Sequence, residues 1–596
     1  MPAQTRPAAE PASPRRSAVD VFNARALASA GKVALRHKEG GAWKPTTWTE
    51  WARAAREIAG GLAELGVAPG DRVAILAATR REWALCDVGI LTAGAVVVPI
   101  YASSLPDQCE YILSDAGAVV AIVEDEKQLE KLVSVRAALP GLRKVVLMSG
   151  AAGGKAVDWV VTLDELRASG ARWLEKNPTR LDDEVAGAID PTAAATIIYT
   201  SGTTGPPKGV VITHGNLVFA CEAAEELLGL GEGDEQLLFL PLAHSFARMV
   251  EWAFISIGAT TAFAQNMNTL VADMAEVKPT FVAAVPRVFE KAYAKIQATF
   301  AEKRKSPIGK RIIDWALAVG RERSRRLRAG ERADGLRFGL ADKLVFAKVR
   351  QTFGGRIKFF ISGGAPLSAE IAEFFHAAGL LILEGYALTE TTAAGTVNRP
   401  DSYKFGTVGT PLPGVEIKIA PDGEILIRGG SVMRGYWNQA DATAEVLDAD
   451  GWFHSGDIGV IEPAGHLRIT DRKKDIIVTA GGKNIAPQNL ENELKASCPL
   501  ISQAVVIGDR QKYLVTLVTL SDDAARDRPG AEAAIKAAVD GLNQKLPSYE
   551  TIKRFTILPR DLSEEAGELT PSLKVKRKVV SERYKEEIAS MYAEPA

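Results

Sequence analysis

The chain has 596 residues, 47% of them hydrophobic and 24% charged, with a formal net charge of -1. This is the composition of a globular protein able to bury a sizeable core; it excludes a disordered chain, and the near-neutral balance gives no ground for nucleic-acid binding. At roughly 100–200 residues per domain, the length corresponds to about three to five structural units, or to one large body with a small one.

The opening MPAQTRPAAEPASPRRS is rich in Pro, Ala and Arg and lacks an apolar run. It reads as a disordered tail over residues 1–18, not as a signal peptide. From Val19 onward, short β-branched runs alternate with Ala/Leu-rich stretches: Arg72–Leu76, Arg81–Ala93, Val96–Ile100, Ala118–Glu124 and Lys144–Met148. That alternation predicts α/β layers with largely parallel sheets. Apolar stretches such as Val88–Tyr101 fall short of the ~18–20 residues that span a bilayer. A cytoplasmic protein is expected, with any membrane contact peripheral, at the inner face. Cys86, Cys109, Cys221 and Cys498 are scattered without metal-ligand spacing, which fits a reduced compartment.

The strand-like Thr196–Tyr199 runs into Thr200, Ser201, Gly202, Thr203, Thr204, Gly205, Pro206, Pro207, Lys208 and Gly209, and a helix is expected to open near Thr213–Asn216. Glycines let amide groups approach a polyphosphate, hydroxyls donate to it, and an ammonium offsets its charge. Lys208 is followed by Gly209 where a P-loop needs Ser or Thr, so a P-loop kinase or ATPase is disfavoured. Between Arg287 and Arg350 lies a long helical stretch in which bases outnumber acids. Its dense part, 303–328, reads first as a solvated face and second as a patch for anionic lipid.

Two strands, Lys358–Ile361 and Leu380–Leu383, lead into the loops Ser362–Pro366 and Glu384–Thr391. Loops after neighbouring strands can form a ligand crevice at the strands' carboxyl ends. Around Val408–Gly435 the pattern changes: VEIKIA and EILIRG flank Pro421-Asp422-Gly423, a hairpin signal. The charged run 471–475 separates a body over 19–470 from a small C-terminal unit over 476–596, with a helix near Gln488–Ala496, strands at Gln503–Ile507, Tyr513–Leu520 and Arg554–Leu558, and a helix at Ala531–Lys545.

The string YTSGTTGPPKG resembles the signature of the adenylate-forming superfamily, which includes acyl-CoA synthetases, adenylation domains and luciferases. The resemblance spans nearly the whole chain. It implies a large N-terminal domain of stacked sheets with a β-barrel-like subdomain, and a small mobile α+β C-terminal domain. It further implies that Gly364, Ala365 and Tyr386 sandwich adenine, that the backbone near Glu384 and Gly385 reads its edge, and that Thr389 meets the α-phosphate. Glu390, with Thr204, would hold Mg²⁺; Asp457 in DGWFHSGDIG and Arg472 would grip the ribose. In LTPSLKVKR the adenylating lysine would be Lys574, by its spacing to Arg577, with Lys576 the other lysine of the run. Asp471 matches the hinge, and Gly481 and Gly482 would line a pantetheine channel for coenzyme A. His244, in LPLAHSFAR, would stand between carboxylate and nucleotide. That segment carries no aspartate to hold an amino acid's ammonium, and the basic helical insertion and LTPSLKVKR resemble the long-chain branch. The implied activity is ATP-dependent ligation of a long-chain fatty acid to coenzyme A; the alternative is a fatty acyl-AMP ligase loading a carrier protein. Oligomeric state, including a homodimer, is left open.

Overall fold

The computed structural model describes residues 16–151, 158–181, 186–200, 206–333, 335–479, 484–521, 528–570 and 575–593. Folded structure begins with the helix Ala18–Ala28, whose N-cap Ser17 and Asp20 bind each other's amides in a capping box. Ser17 and Ala18 are buried. Ser17 and Ala18, assigned by sequence to the tail, thus belong to the fold, because a reciprocal cap fixes the chain there.

Among the described residues, two large sheets of nine and eight strands make up the body. Their central strands are parallel: Arg72–Leu76 lies between Val96–Ile100 and Ala118–Val123 in one, and Phe281–Ala284, Phe359–Ser362 and Ile382–Tyr386 run side by side in the other. Buried on both faces, these strands read as continuous apolar runs. The sheets are mixed, not wholly parallel, since antiparallel strands close both edges of the nine-stranded sheet and one edge of the other. Their shared core joins Trp48, Trp51, Trp83, Phe254 and Phe281.

The expected hairpin forms, pairing Val415–Ile419 with Glu424–Gly429 around Gly423, whose φ of 89° suits a turn glycine. With Phe453–Ile461 and Leu467–Arg472 it builds a four-stranded antiparallel sheet. The C-terminal unit has its own three-stranded sheet, Ile501–Ile507, Leu514–Leu520 and Ile552–Ile557, flanked by helices Pro487–Ser497 and Arg528–Asn543. Leu490, Leu494, Val506, Val518 and Ile535 form a core of its own.

The sequence reading missed one strand: Lys208–Thr213 pairs antiparallel with Ala194–Thr200, placing Lys208 opposite Thr200. The helix His214–Leu228 opens after it, where expected, capped by Thr213 and Asn216. At ~3.3 Å per residue the helix N-terminus stands roughly 20 Å along the strand from Lys208, too far for its dipole to act on an anion beside that lysine.

Candidate active site

The two parallel strands Phe359–Ser362 and Ile382–Tyr386 end side by side, Ser362 opposite Glu384. Beyond them the chain forms the loops that carry Gly364, with φ of 83°, and Thr389. The four-stranded sheet faces these loops, and together with the C-terminal unit they enclose one continuous cleft of about 2970 Å³. It is bordered by Thr200, Lys208, His244, Gly364, Ala365, Glu384, Gly385, Tyr386, Thr389, Glu390, Asp457, Asp471 and Arg472, which brings together every described residue of the predicted site. Ser201, Gly202, Thr203, Thr204, Gly205, Gly481, Gly482 and Lys574 lie outside the described residues.

Asp457 and Arg472 are direct cross-strand partners, with Arg472 Nε 3.3 Å from Asp457 Oδ1. The hydroxyl of Tyr386 donates to Asp457 Oδ2 at 2.6 Å. Burial and the neighbouring carboxylate push the Tyr386 phenol well above its ordinary range, so it stays a donor. An ionised carboxylate is an acceptor at both oxygens, the chemistry that suits a vicinal diol such as a ribose.

A second chain of contacts links the phosphate side. Tyr436 donates its hydroxyl to Glu390 Oε1 at 2.9 Å, and the Lys208 ammonium sits 4.9 Å from the Tyr436 ring centroid. Desolvation raises the Glu390 pKa, a penalty on its charged form that a cation beside it would offset. Among the described residues no trio of His, Cys, Asp or Glu is grouped to hold a metal. Glu390 offers one carboxylate, and Mg²⁺ takes one or two and completes its shell with phosphate oxygens and water. Thr389 Oγ1 lies 3.1 Å from Ser245 Oγ. His244 accepts the Phe246 amide at Nδ1, 3.1 Å, as N-cap of the helix Ser245–Ile257.

Sequence reasoning missed Tyr436, Ser245 and the Lys473–Glu424 pair, 3.1 Å apart, whose carboxylate also accepts the Gly456 amide at 2.8 Å. Tyr436 sits in a two-residue strand beside Val210, and nothing local marks it; the partnership exists only through the sheet. Gly209, the last glycine of the signature, has a packing role: a Cβ there would come within 2.7 Å of Ile197 and 3.2 Å of Trp437. Glu384 is tied at both ends, its carbonyl accepting the Asn398 amide at 2.9 Å and its carboxylate the Leu367 amide at 3.0 Å.

Behind the Thr389 loop the cleft continues as an apolar passage. It is bordered by Ala224 and Leu228 of the helix His214–Leu228 and by Val250, Ala253, Phe254 and Ile257 of the helix Ser245–Ile257. All six are buried from bulk solvent. The opposite face of the second helix is charged and also buried: Arg248 Nη2 meets Asp87 Oδ1 at 2.5 Å, and Trp252 donates to Asp87 at 3.0 Å. Fixed on that side, the helix cannot roll without unpairing a buried charge, which is costly.

The fold and this cleft define a nucleotide-dependent enzyme of the adenylate-forming kind. A model of the AMP-binding enzyme family matches residues 22–437, and one of the AMP-binding enzyme C-terminal domain matches residues 474–596; the chain belongs to the AMP-binding enzyme family. It is 41% identical over 577 residues to the long-chain-fatty-acid–CoA ligase FadD15 of Mycobacterium tuberculosis, covering 93% of each chain. To the human long-chain-fatty-acid–CoA ligase ACSBG1 it is 33% identical over 611 residues, covering 94% of this chain and 83% of that one. In fold it is similar to the A domain of a carboxylic acid reductase from Segniliparus rugosus, solved with AMP and a co-purified carboxylic acid: TM-score 0.78, 22% identity, 98% and 95% of the two chains. The anthranilate CoA ligase AuaEII is also similar, with TM-score 0.75 and 20% identity over 96% and 98%.

Proposed function

We propose that this chain is a long-chain fatty acid–CoA ligase, joining a fatty acid to AMP with release of pyrophosphate and then passing the acyl group to coenzyme A. The observation that carries the reading is the buried apolar passage running from the Thr389 loop along the helix Ser245–Ile257. From Phe246 to Ile257 that helix rises about 16 Å, the reach of an extended chain of roughly a dozen carbons with bonds of ~1.5 Å. The full-length similarity to ligases of that name supports the same substrate class.

In this reading Asp457, Arg472 and Tyr386 orient the nucleoside, and Lys208 together with the hairpin 200–209 holds the triphosphate. Thr389, braced by Ser245, meets the α-phosphate. Mg²⁺ bound at Glu390, with Thr204, would neutralise phosphate charge as two anions approach. Lys574 is the cation proposed to complete that neutralisation. Lys576 borders the cleft, while Arg577 is committed to Glu491 at 2.7 and 3.1 Å inside the C-terminal unit. Asp471 is proposed as the hinge for the second step, with Gly481 and Gly482 beside the pantetheine arm. Its side chain is buried, with Oδ1 accepting the Arg472 amide at 2.6 Å.

ATP–pyrophosphate exchange across a fatty-acid series, with and without coenzyme A, tests the reading. Exchange is expected with palmitate, followed by palmitoyl-CoA when the thiol is present. Exchange without thioester would favour the carrier-protein ligase, and no exchange with any acid would refute the enzyme.

A further inference from the structure

Three helical stretches follow one another without a break: helix Leu336–Ala341, a π turn Asp342–Phe346 and helix Ala347–Gln351. Their inner face is accounted for. Ala341, Val345, Phe346 and Val349 join the core beneath the nine-stranded sheet, and the Phe346 ring lies so close to Gly320 that a Cβ there would meet it at 2.6 Å.

The outer face is not. Leu336 is 96% exposed, more than any other large hydrophobic residue among those described, and Leu340 and Leu344 are 53% and 41% exposed. A spacing of four aligns them along one side of the run. Arg337, Lys343 and Lys348 are exposed among them. The single acid of the run, Asp342, is bound by both terminal nitrogens of Arg350, at 2.5 and 2.8 Å. Across 303–350 the sequence holds fifteen Lys and Arg against five Asp and Glu. Four of those acids, Asp314, Glu322, Glu331 and Asp342, are ion-paired to arginines of the same stretch.

We infer that this stripe docks on the surface of an anionic lipid bilayer. The leucines enter the boundary between headgroups and acyl chains, and Arg337, Lys343 and Lys348 face the phosphates. Apolar side chains flanked by cations, with the local acid already satisfied, are complementary to such a surface. The sequence pointed to 303–328 for this contact. The structure moves it to the next run, because the helix Pro307–Arg328 presents charge but only Ile308 as an exposed large apolar side chain. The rationale rests on the ligase reading, since long-chain acids partition into bilayers; the readout does not.

The test is sedimentation of the full chain with vesicles of phosphatidylcholine, with and without about one-third phosphatidylglycerol. The wild type is expected to bind the anionic vesicles and not the neutral ones, and added salt should weaken binding. The variant Leu336→Ser/Leu340→Ser/Leu344→Ser is expected to bind at least tenfold less, and Arg337→Glu/Lys343→Glu similarly. Pyrophosphate exchange with detergent-dispersed acid, unchanged in both variants, shows that they fold. Wild type that ignores anionic vesicles, or a leucine variant that binds them equally, overturns the inference. So does a dimer in solution that the leucine variant breaks while vesicle binding persists. Loss of exchange in the wild type would refute the ligase reading alone.

Discussion

Tyr386 and Tyr436 perform the same task on opposite sides of the cleft: each spends its hydroxyl on a carboxylate that the nucleotide or its cation is proposed to need. Glu384 is the contrasting case, a buried acid whose Oε1 has no hydrogen-bond partner among the described residues. Desolvation pushes its pKa up from 4.5 to about 7. The folded state therefore favours the neutral acid. Stability is full below the unfolded value near 4.5 and declines as pH rises toward about 7, where the folded group at last ionises. Glu384→Gln keeps an acceptor for the Leu367 amide and removes the titration. It should match wild type near pH 4.5 and exceed it at pH 8 by roughly 3 kcal/mol, from about 1.36 kcal/mol per pKa unit. Denaturant melts of the unliganded protein at both pH values check this. Asp471, raised to about 7 by burial, keeps part of the pH slope in the variant. Motif residues such as Asp457 and Arg472 were legible in the sequence. Tyr436 was not, because its value lies in a contact with Glu390, 46 positions away, that only the sheet creates.

At the scale of elements, the helix Ser245–Ile257 presents two buried faces of opposite character, and the proposed acyl passage depends on the apolar one. Ala253 faces that passage and is 3% exposed. Ala253→Phe is expected to fill the passage midway. Palmitate kcat/KM should fall at least tenfold while octanoate is retained, so preference moves to shorter acids. A kcat/KM series over acid length reads this out, and equal loss for all acids would mean collapse of the helix. The strand–helix alternation around Arg72–Leu147 and the Val415–Gly429 hairpin were readable from periodicity and turn residues. The strand Lys208–Thr213 was not: six residues after a Gly/Pro loop carry too little pattern, and pairing with Ala194–Thr200 decided their conformation. Chain-length discrimination was equally hidden, since Ala224 and Ala253 come from separate helices.

For the whole molecule, the stance of the C-terminal unit rests in part on polar ties seen among the described residues. Arg287 Nη2 reaches Asp561 Oδ2 at 3.1 Å and Ser502 Oγ at 3.2 Å, and Lys495 lies 3.3 Å from Glu290. Asp561 also accepts the hydroxyls of Ser502 and Thr519, each at 2.6 Å. Thr570 and Val575, which flank 571–574, border the same cleft as Glu390, the stance the first step would require of Lys574. Arg287→Ala should weaken that stance by about 1 kcal/mol, as for a partly exposed ion pair. Pyrophosphate exchange is then expected to fall about fivefold relative to thioester formation from supplied acyl-AMP. Parallel loss in both assays would instead report general damage.

Arg472 and Asp471 are adjacent on the strand Leu467–Arg472, one side chain turned to Asp457 and the other buried where the chain departs for its last unit. Because successive side chains of a strand project to opposite sides, a single stiff peptide separates the proposed sugar contact from the proposed hinge. Under that proposal cofactor occupancy and module posture share one mechanical element, and a tug on either would be felt by the other without an intervening relay.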